Sequence, residues 1–249
     1  MSDKPSVIRE TDNEARRLAR TLLRSARYVA LAVIEPETGF PSVSRVLVAT
    51  DSDGAPAILV SGLSAHTRAL SADTRCSLLA GEPGKGDPLA HPRLTVQCLA
   101  EPVERDGDVH QRLRTRFVTR HPKSKLYIDF PDFRFFRLVP QGASLNGGFG
   151  KAYLLPAEDL MIAAFADTDF AGREEEALRE LMVRFPDLAA RLAERLGAAT
   201  PEKWQICGLD SAGIDLISGD SALRWEFEHP FARLEDIGLD LPKSAYSIP

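Results

Sequence analysis

Between Arg27 and Leu63 the stretch RYVALAVIEPETGFPSVSRVLVATDSDGAPAILVSGL holds three β-branched runs separated by the turn-forming segments PETGF and DSDG. That pattern belongs to an antiparallel meander and predicts strands near 28–35, 41–50 and 56–62. Ahead of it, EARRLARTLLRSA (14–26) spaces Ala15, Leu18, Leu22 and Ala26 three and four residues apart with arginines between them. This is an amphipathic helix whose apolar stripe must lie on something. SAHTRALSA (64–72) reads as a short helix with Ser64 as its N-cap, ending by Asp73. RCSLLAG (75–81) and RLTVQCLAEPVER (93–105) read as strands, joined by the Gly- and Pro-rich loop EPGKGDPLAHP. A helix near 107–119, a Pro-bounded segment at His121–Lys125 and a last strand in FRFFRLVPQGASL bring the count to about six strands. Antiparallel strands at this spacing, with only short helices between them, favour closure into a small barrel over a parallel sheet.

The texture changes at Leu155. Residues 157–198 are helical in pattern, and WQICGLDSAGIDLISGDSALRWEFEHPF gives three short strands around DSAG and SGDS turns. The expected class is α+β: an antiparallel barrel with short peripheral helices over 1–154, then a small α+β domain over 155–249.

Composition narrows the partners. A net charge of −5 over 249 residues lacks the clustered basic excess that a phosphate backbone demands, so nucleic acid is not expected. Cys76, Cys98 and Cys207 form no CxxC pair and are odd in number, which fits a reducing compartment. The apolar run Tyr28–Ile34 is far shorter than the roughly 20 residues of a membrane span, so no membrane association is expected. Asp3, Glu10, Asp12 and Glu14 are the wrong charge for a transit peptide, and the expected location is cytoplasmic. No HxH or HxxxH spacing exists, so no metal site is expected; His110, in a helical stretch beside Gln111 and Arg112, reads as solvated.

Three features could carry chemistry. Arg45 sits in a segment apolar on both faces, with Val43 and Leu47 on its own side and Val46 and Val48 on the other. A guanidinium there needs an anionic partner, either a ligand phosphate or carboxylate, or an internal Asp or Glu. Residues Ser61–Arg68 end a strand and open a helix, a junction whose free N–H groups and dipole suit phosphate. Ser61, Ser64 and Thr67 would add hydroxyls, and His66 and Arg68 positive charge; the alternative is an ordinary capped surface helix. Neighbouring strands of the meander would bring Arg45 near Ser61, so both could address one phosphate. LNGGFGKAYLL (145–155) offers either a Gly-rich backbone able to approach a flat ring or a simple turn.

The order YVALAVI, PSVSRVLVAT, SGLSAHTRAL, CSLLAGEPG, RLTVQCLAEPV, HPKSKLYIDFPDFRFFRLVP and GGFGKA resembles the FMN-binding split β-barrels of the pyridoxamine-phosphate-oxidase-like superfamily. The resemblance is closest to the HugZ-type haem-utilisation branch, whose C-terminal small domain is similar to CGLDSAGIDLISGDSALRWEF. It implies that Arg45, Ser61, Ser64, His66, Thr67 and Arg68 hold the phosphate of flavin mononucleotide (FMN). It also places the backbone of Val46 and Leu47 and the turn Asn146, Gly147, Gly148, Phe149, Gly150 beside the isoalloxazine ring. A homodimer with FMN at the subunit interface follows from the same resemblance. No Arg-His pair follows LVPQGASLNGG, so pyridoxamine phosphate is not the expected substrate. LRELMVRFPDLAARL carries no histidine where haem-handling relatives have several. The leading expectation is therefore an FMN-dependent oxidoreductase. The alternatives are a haem-binding or haem-degrading protein of iron utilisation, or a non-catalytic flavin-binding module.

Overall fold

The computed structural model describes residues 8–165, 170–198, 203–233 and 236–237; parts of the predicted 1–154 and 155–249 units, including 166–169 of the helical stretch, lie outside them. Helix α1 (Asn13–Ser25) opens at Asp12, whose carboxylate accepts a 2.7 Å hydrogen bond from the Ala15 amide. Replacing that cap, Asp12→Ala, is expected to cost about 1 kcal/mol, read as a lower urea midpoint. The apolar stripe of α1, Ala15, Ala19 and Leu23, is buried in the barrel core, with Leu18, Leu22 and Ala26 packed against it. Its arginines leave on the other side.

Strands β1 (Tyr28–Ile34), β2 (Pro41–Thr50), β3 (Pro56–Ser61), β4 (Arg75–Ala80), β5 (Arg93–Pro102), β6 (Phe133–Asn146) and β7 (Ala152–Pro156) form one antiparallel sheet in the order β3-β2-β1-β4-β5-β6-β7. A further pairing of β3 with β6, from Ala57↔Arg137 to Ser61↔Phe133, closes six of them into a barrel, and β7 extends the sheet from β6. The predicted strands fall where expected, except that β5 stops at Pro102 and β7, hidden behind the Gly-rich turn, was not anticipated.

Inward positions alternate as the pleat requires: Val29, Leu31 and Val33; Val46 and Val48; Leu78 and Ala80; Leu94, Val96 and Cys98. β3 is buried on both faces. Its Ile58 and Val60 face the barrel, while Ala57 and Leu59 join a second cluster with Leu113 and Phe117 of α3 (Asp108–Arg120), Ile128 and Phe135. Helix α2 (Ala65–Ala72) follows β3. His110 is not solvated as its polar neighbours imply; α3 turns it inward, edge-on to the Phe135 ring at 5.6 Å, and it is 7 % exposed.

The C-terminal part has helices α4 (Phe170–Arg184) and α5 (Leu188–Arg195) and a three-stranded sheet of β8 (Gln205–Asp210), β9 (Gly213–Ser218) and β10 (Ser221–Glu226), around its own apolar cluster. This element order is the α+β pattern of the sequence. Between the two sheets runs a buried ionic web. Arg24 of α1 reaches Asp210 at 2.7 Å and Asp215 at 2.8 Å, Arg224 reaches the same two carboxylates, and Arg116 of α3 pairs with Glu174. Arg20, nearer the surface, takes Glu226 in a two-pronged contact of 2.8 Å each. Three of the arginines between the apolar positions of α1, Arg17, Arg20 and Arg24, therefore bind the second sheet, while Arg16 pairs with Asp159.

Candidate functional site

The ladder between β2 and β3 runs only from Thr50↔Pro56 to Val48↔Ile58. Beyond it the two strands part, three positions before Arg45 would stand opposite Ser61. The geometry that would let them address one phosphate is thus not provided by the strand pairing. Arg45 also lies on the outside of the barrel, exposed together with Val43 and Leu47, while Val46 and Val48 point into the core. The segment is apolar on both sides because its outer face is apolar too, and not because Arg45 is buried. The guanidinium lies 5.0 Å from the centroid of the Tyr28 ring and forms no ion pair with a carboxylate among the described residues. Glu82 beside the Tyr28 hydroxyl, with some burial, raises that phenol above its ordinary pKa, so the pair is a neutral ring under a cation.

The β3–α2 corner is a self-contained knot. Ser61 Oγ donates to Asp132 Oδ2 at 2.7 Å and accepts from the Leu63 amide. Ser64 Oγ and Thr67 Oγ1 both lie within 2.9 Å of the Ser61 carbonyl and 2.7 Å from each other, so their two protons are committed inside the corner. Ser64 begins the helix without a side-chain cap of its own. His66 Nδ1 bonds Ser44 Oγ at 3.1 Å, and burial pushes the imidazole down, keeping it neutral. Arg68 is exposed and, with Arg134, flanks a shallow cavity of about 370 Å³ lined also by Gly62, Thr67 and Ser71. A phosphate dianion at Ser61 would meet the Asp132 carboxylate and no free hydroxyl proton. The hydroxyls expected to hold the FMN phosphate are thus turned inward, while Arg68 and Arg134 stand at the adjoining cavity.

Asn146–Gly150 is the β6–β7 turn. Asn146 Oδ1 accepts from the Gly148 amide, and Gly148 and Gly150 take φ of +105° and +70°, values that favour glycine. A Cβ on Gly148 would lie 2.9 Å from the Ala90 carbonyl oxygen, so the glycine also permits a close approach of the β4–β5 loop. Phe149 is 70 % exposed. By register Arg45 stands opposite Ala30, Ala30 opposite Leu79, Leu79 opposite Thr95 and Thr95 opposite Ser144. Counted this way round the barrel, β6 is four strands from β2, while the β3–β6 closure leaves it two strands from β2 the other way.

What the fold does bring together is the outer face of β1, β2, β4 and β5. Ala32 pairs with Val43 on one side and Ser77 on the other, and Ser77 with Gln97. Small side chains thus make a floor, and Val43 (66 % exposed), Leu79 and Leu99 stand around it. The resulting groove holds about 580 Å³ and is lined by Ala32, Ile34, Pro41, Ser77, Leu99 and Gln141 among others, with Arg75 at its edge. Arg45 stands one row further along β2. Single-sequence reasoning passed over this face, though the signal was present: the outward positions of YVALAVI are Tyr28, Ala30, Ala32 and Ile34, apolar or amphipathic on a strand whose inner face is already apolar. No group of three or more metal-ligating side chains is found among the described residues. No described helix is long and apolar enough to cross a membrane.

With this barrel in hand, comparison with known proteins is decisive for the family. Residues 10–161 match the CREG β-barrel family. The chain belongs to it. Within the family's reach lies the chloroplastic haem oxygenase HOZ of Arabidopsis thaliana, 30 % identical over 159 residues, which span 61 % of this chain and 48 % of that protein. The chain thus covers about half the length of that relative. A solved protein of unknown function from Agrobacterium tumefaciens str. C58 superimposes with a TM-score of 0.82 at 31 % identity, over 96 % of this chain and 100 % of the other. A haem-binding protein from Mycobacterium smegmatis superimposes with a TM-score of 0.55 at 25 % identity, over 99 % and 100 %. The split-barrel fold and the haem-utilisation resemblance stand. Two of these three relatives are haem proteins and the third is of unknown function, which favours the haem alternative over the flavin oxidoreductase.

Proposed function

We propose that this chain binds haem on the outer face of its barrel, as a homodimer closed over that face, and serves haem utilisation. The observation that carries the reading is the groove itself. An apolar trough with a floor of Ala and Ser side chains admits a flat apolar ring, and its volume lies within the roughly 300–1,000 Å³ usual for small-molecule sites. Arg45, exposed on β2 one row beyond the groove, offers a cation to the carboxylates of a porphyrin, and Arg75 of the lining reaches them on exchanging its Asp73 partner. Support for the class comes from the haem-binding and haem-oxygenase relatives.

A second copy of the chain belongs to the same proposal. Val43, Leu47, Leu79 and Leu99 form an exposed apolar surface of the kind that marks an interaction site.

Titration of the full chain with haemin is expected to give a saturable Soret band. Filling the floor with Ala32→Trp is expected to weaken binding tenfold or more. Arg45→Ala, at an exposed position, is expected to weaken it by about tenfold, ~1.4 kcal/mol. Sedimentation should give a dimer. A parallel titration with FMN separates the readings: a yellow, flavin-loaded protein that ignores haemin overturns the proposal.

A further inference from the structure

Two of the three cysteines face each other in the barrel wall. Cys76 of β4 and Cys98 of β5 are direct partners in the antiparallel ladder. Their side chains point inward and are 7 % and 2 % exposed. The Ala100 amide donates to the Thr74 carbonyl at 2.8 Å, and these two residues extend the same register one pair beyond Arg75↔Leu99. Hydrogen-bonded pairs recur at every second position of an antiparallel ladder, so Cys76 and Cys98 form such a pair, with Cα atoms about 5.5 Å apart. That separation falls inside the roughly 4.4–6.8 Å that a disulfide spans. The Cβ atoms of such a pair start about 5.5 Å apart against roughly 3.5–4.5 Å in a disulfide, so closing the bond draws β4 and β5 locally together.

Placed face to face, the two thiols influence each other: Cys98 lowers the Cys76 thiol below its ordinary pKa against the effect of burial, and Cys76 together with burial raises Cys98 far above it. One thiol of the pair is thus disposed to react as the nucleophile and the other to stay protonated beside it. Both residues border the outer groove, which runs over this part of the wall. Cys207, on β8, is a natural control: it is buried without a thiol partner, and burial pushes it up to about 11.

We propose that Cys76 and Cys98 are a peroxide-oxidisable dithiol that closes into an intramolecular cross-strand disulfide beneath the groove. The Cys76 sulfur attacks one oxygen of hydrogen peroxide, giving a sulfenic acid and water. The Cys98 sulfur then attacks the Cys76 sulfur and displaces its hydroxyl as a second water. Overall, two thiols and one peroxide give one disulfide and two waters, with two electrons passing from sulfur to oxygen. The bond ties β4 to β5, the strands that supply Ser77, Gln97 and Leu99 to the groove. The inference holds whatever the groove binds.

The test uses the full, folded chain. After excess hydrogen peroxide and quenching, denatured protein is alkylated and weighed. The expected result is one free thiol per chain where three were present, a mass 2 Da lower before alkylation, and recovery of all three thiols with dithiothreitol. In Cys98→Ser the reaction stops at a sulfenic acid on Cys76, trapped as its dimedone adduct. In Cys207→Ser the disulfide still forms. Three thiols surviving peroxide in the folded wild-type chain, a disulfide between chains, or loss of Cys207 in place of the pair would each overturn the proposal.

Discussion

Asp215→Ala is expected to lower stability by about 3–5 kcal/mol, the loss that follows when one partner is removed from a buried ion pair. Asp215 sits between Arg24 and Arg224, at 2.8 Å and 3.0 Å, and all three side chains are 3 % exposed or less. Burial alone would raise its carboxyl. The two guanidiniums override this and hold it far below the usual carboxylate range. Asp210 is held low in the same way and cannot neutralise both arginines by itself. Arg116, 3.8 Å away, would lose a partner as well. Since Arg24 comes from α1 and Arg224 from β10, the variant weakens the seam between the barrel and the second sheet. The measurement is the urea midpoint, with Asp73→Ala as reference. Asp73 pairs with Arg75 in the open, where such pairs contribute little, and its loss is expected to leave the midpoint unchanged. A fall for Asp215→Ala no larger than that of the reference would show the web to be structurally idle.

The barrel was legible because its strands alternate. In RLTVQCLA every second residue is apolar, and each of those, Leu94, Val96, Cys98 and Ala100, is buried. The turn segments PETGF and DSDG fix the meander as firmly. β7 was not legible, because AYLLP is five residues long and its outward Leu154 mimics an inward one. The ionic web was hidden for a different reason. Arg24, Asp210, Asp215 and Arg224 are charged residues on ordinary-looking surface positions of their elements, and only the docking of two sheets takes them out of water.

The candidate site was legible in part. The sequence located Arg45 and the Ser61–Arg68 corner as chemically uncommon, and the resemblance gave them a shared ligand. The strand pairing does not carry Arg45 to Ser61, since β2 leaves β3 at Val48; the corner meets β2 through the His66–Ser44 bond, and its hydroxyls turn onto Ser61 and Asp132. Hydroxyl direction is a matter of a single torsion, which no sequence spacing encodes. The groove rests on what outward side chains lack: Ala30, Ala32 and Ser77 make a floor by being small, and small residues in a strand carry no signal until the partners across the ladder are known.

Acid is expected to destabilise the chain well above the carboxylate range, through His121. The imidazole ends α3, is 3 % exposed, donates its Nε2 proton to the Val48 carbonyl at 2.8 Å and lies 4.7 Å from the Phe117 ring. Burial, aided by the charges of Arg120 and Arg27, holds its pKa at about 4 against an ordinary 6.5. Between those two values the unfolded chain takes up a proton that the folded chain refuses. Stability from this group is therefore complete above the unfolded pKa and drains as the pH falls toward the folded one. At pH 4.5 the loss should reach about 2.5 kcal/mol relative to pH 7. His66 and His110 are also pushed down by burial, so the wild-type slope has several contributors and the difference between variants is the quantity to read. His121→Gln keeps an amide donor for the Val48 carbonyl and has nothing to titrate. Urea unfolding at pH 7 and pH 4.5 should show the wild-type chain losing about 2–3 kcal/mol more than the variant over that interval. The low carboxylates Asp51, Asp210 and Asp215 begin to lose their contribution below about pH 5, but equally in both proteins, so the difference between them still reads His121. Equal losses in the two proteins would mean that the folded His121 titrates like an unfolded histidine, so that burial does not hold its pKa down.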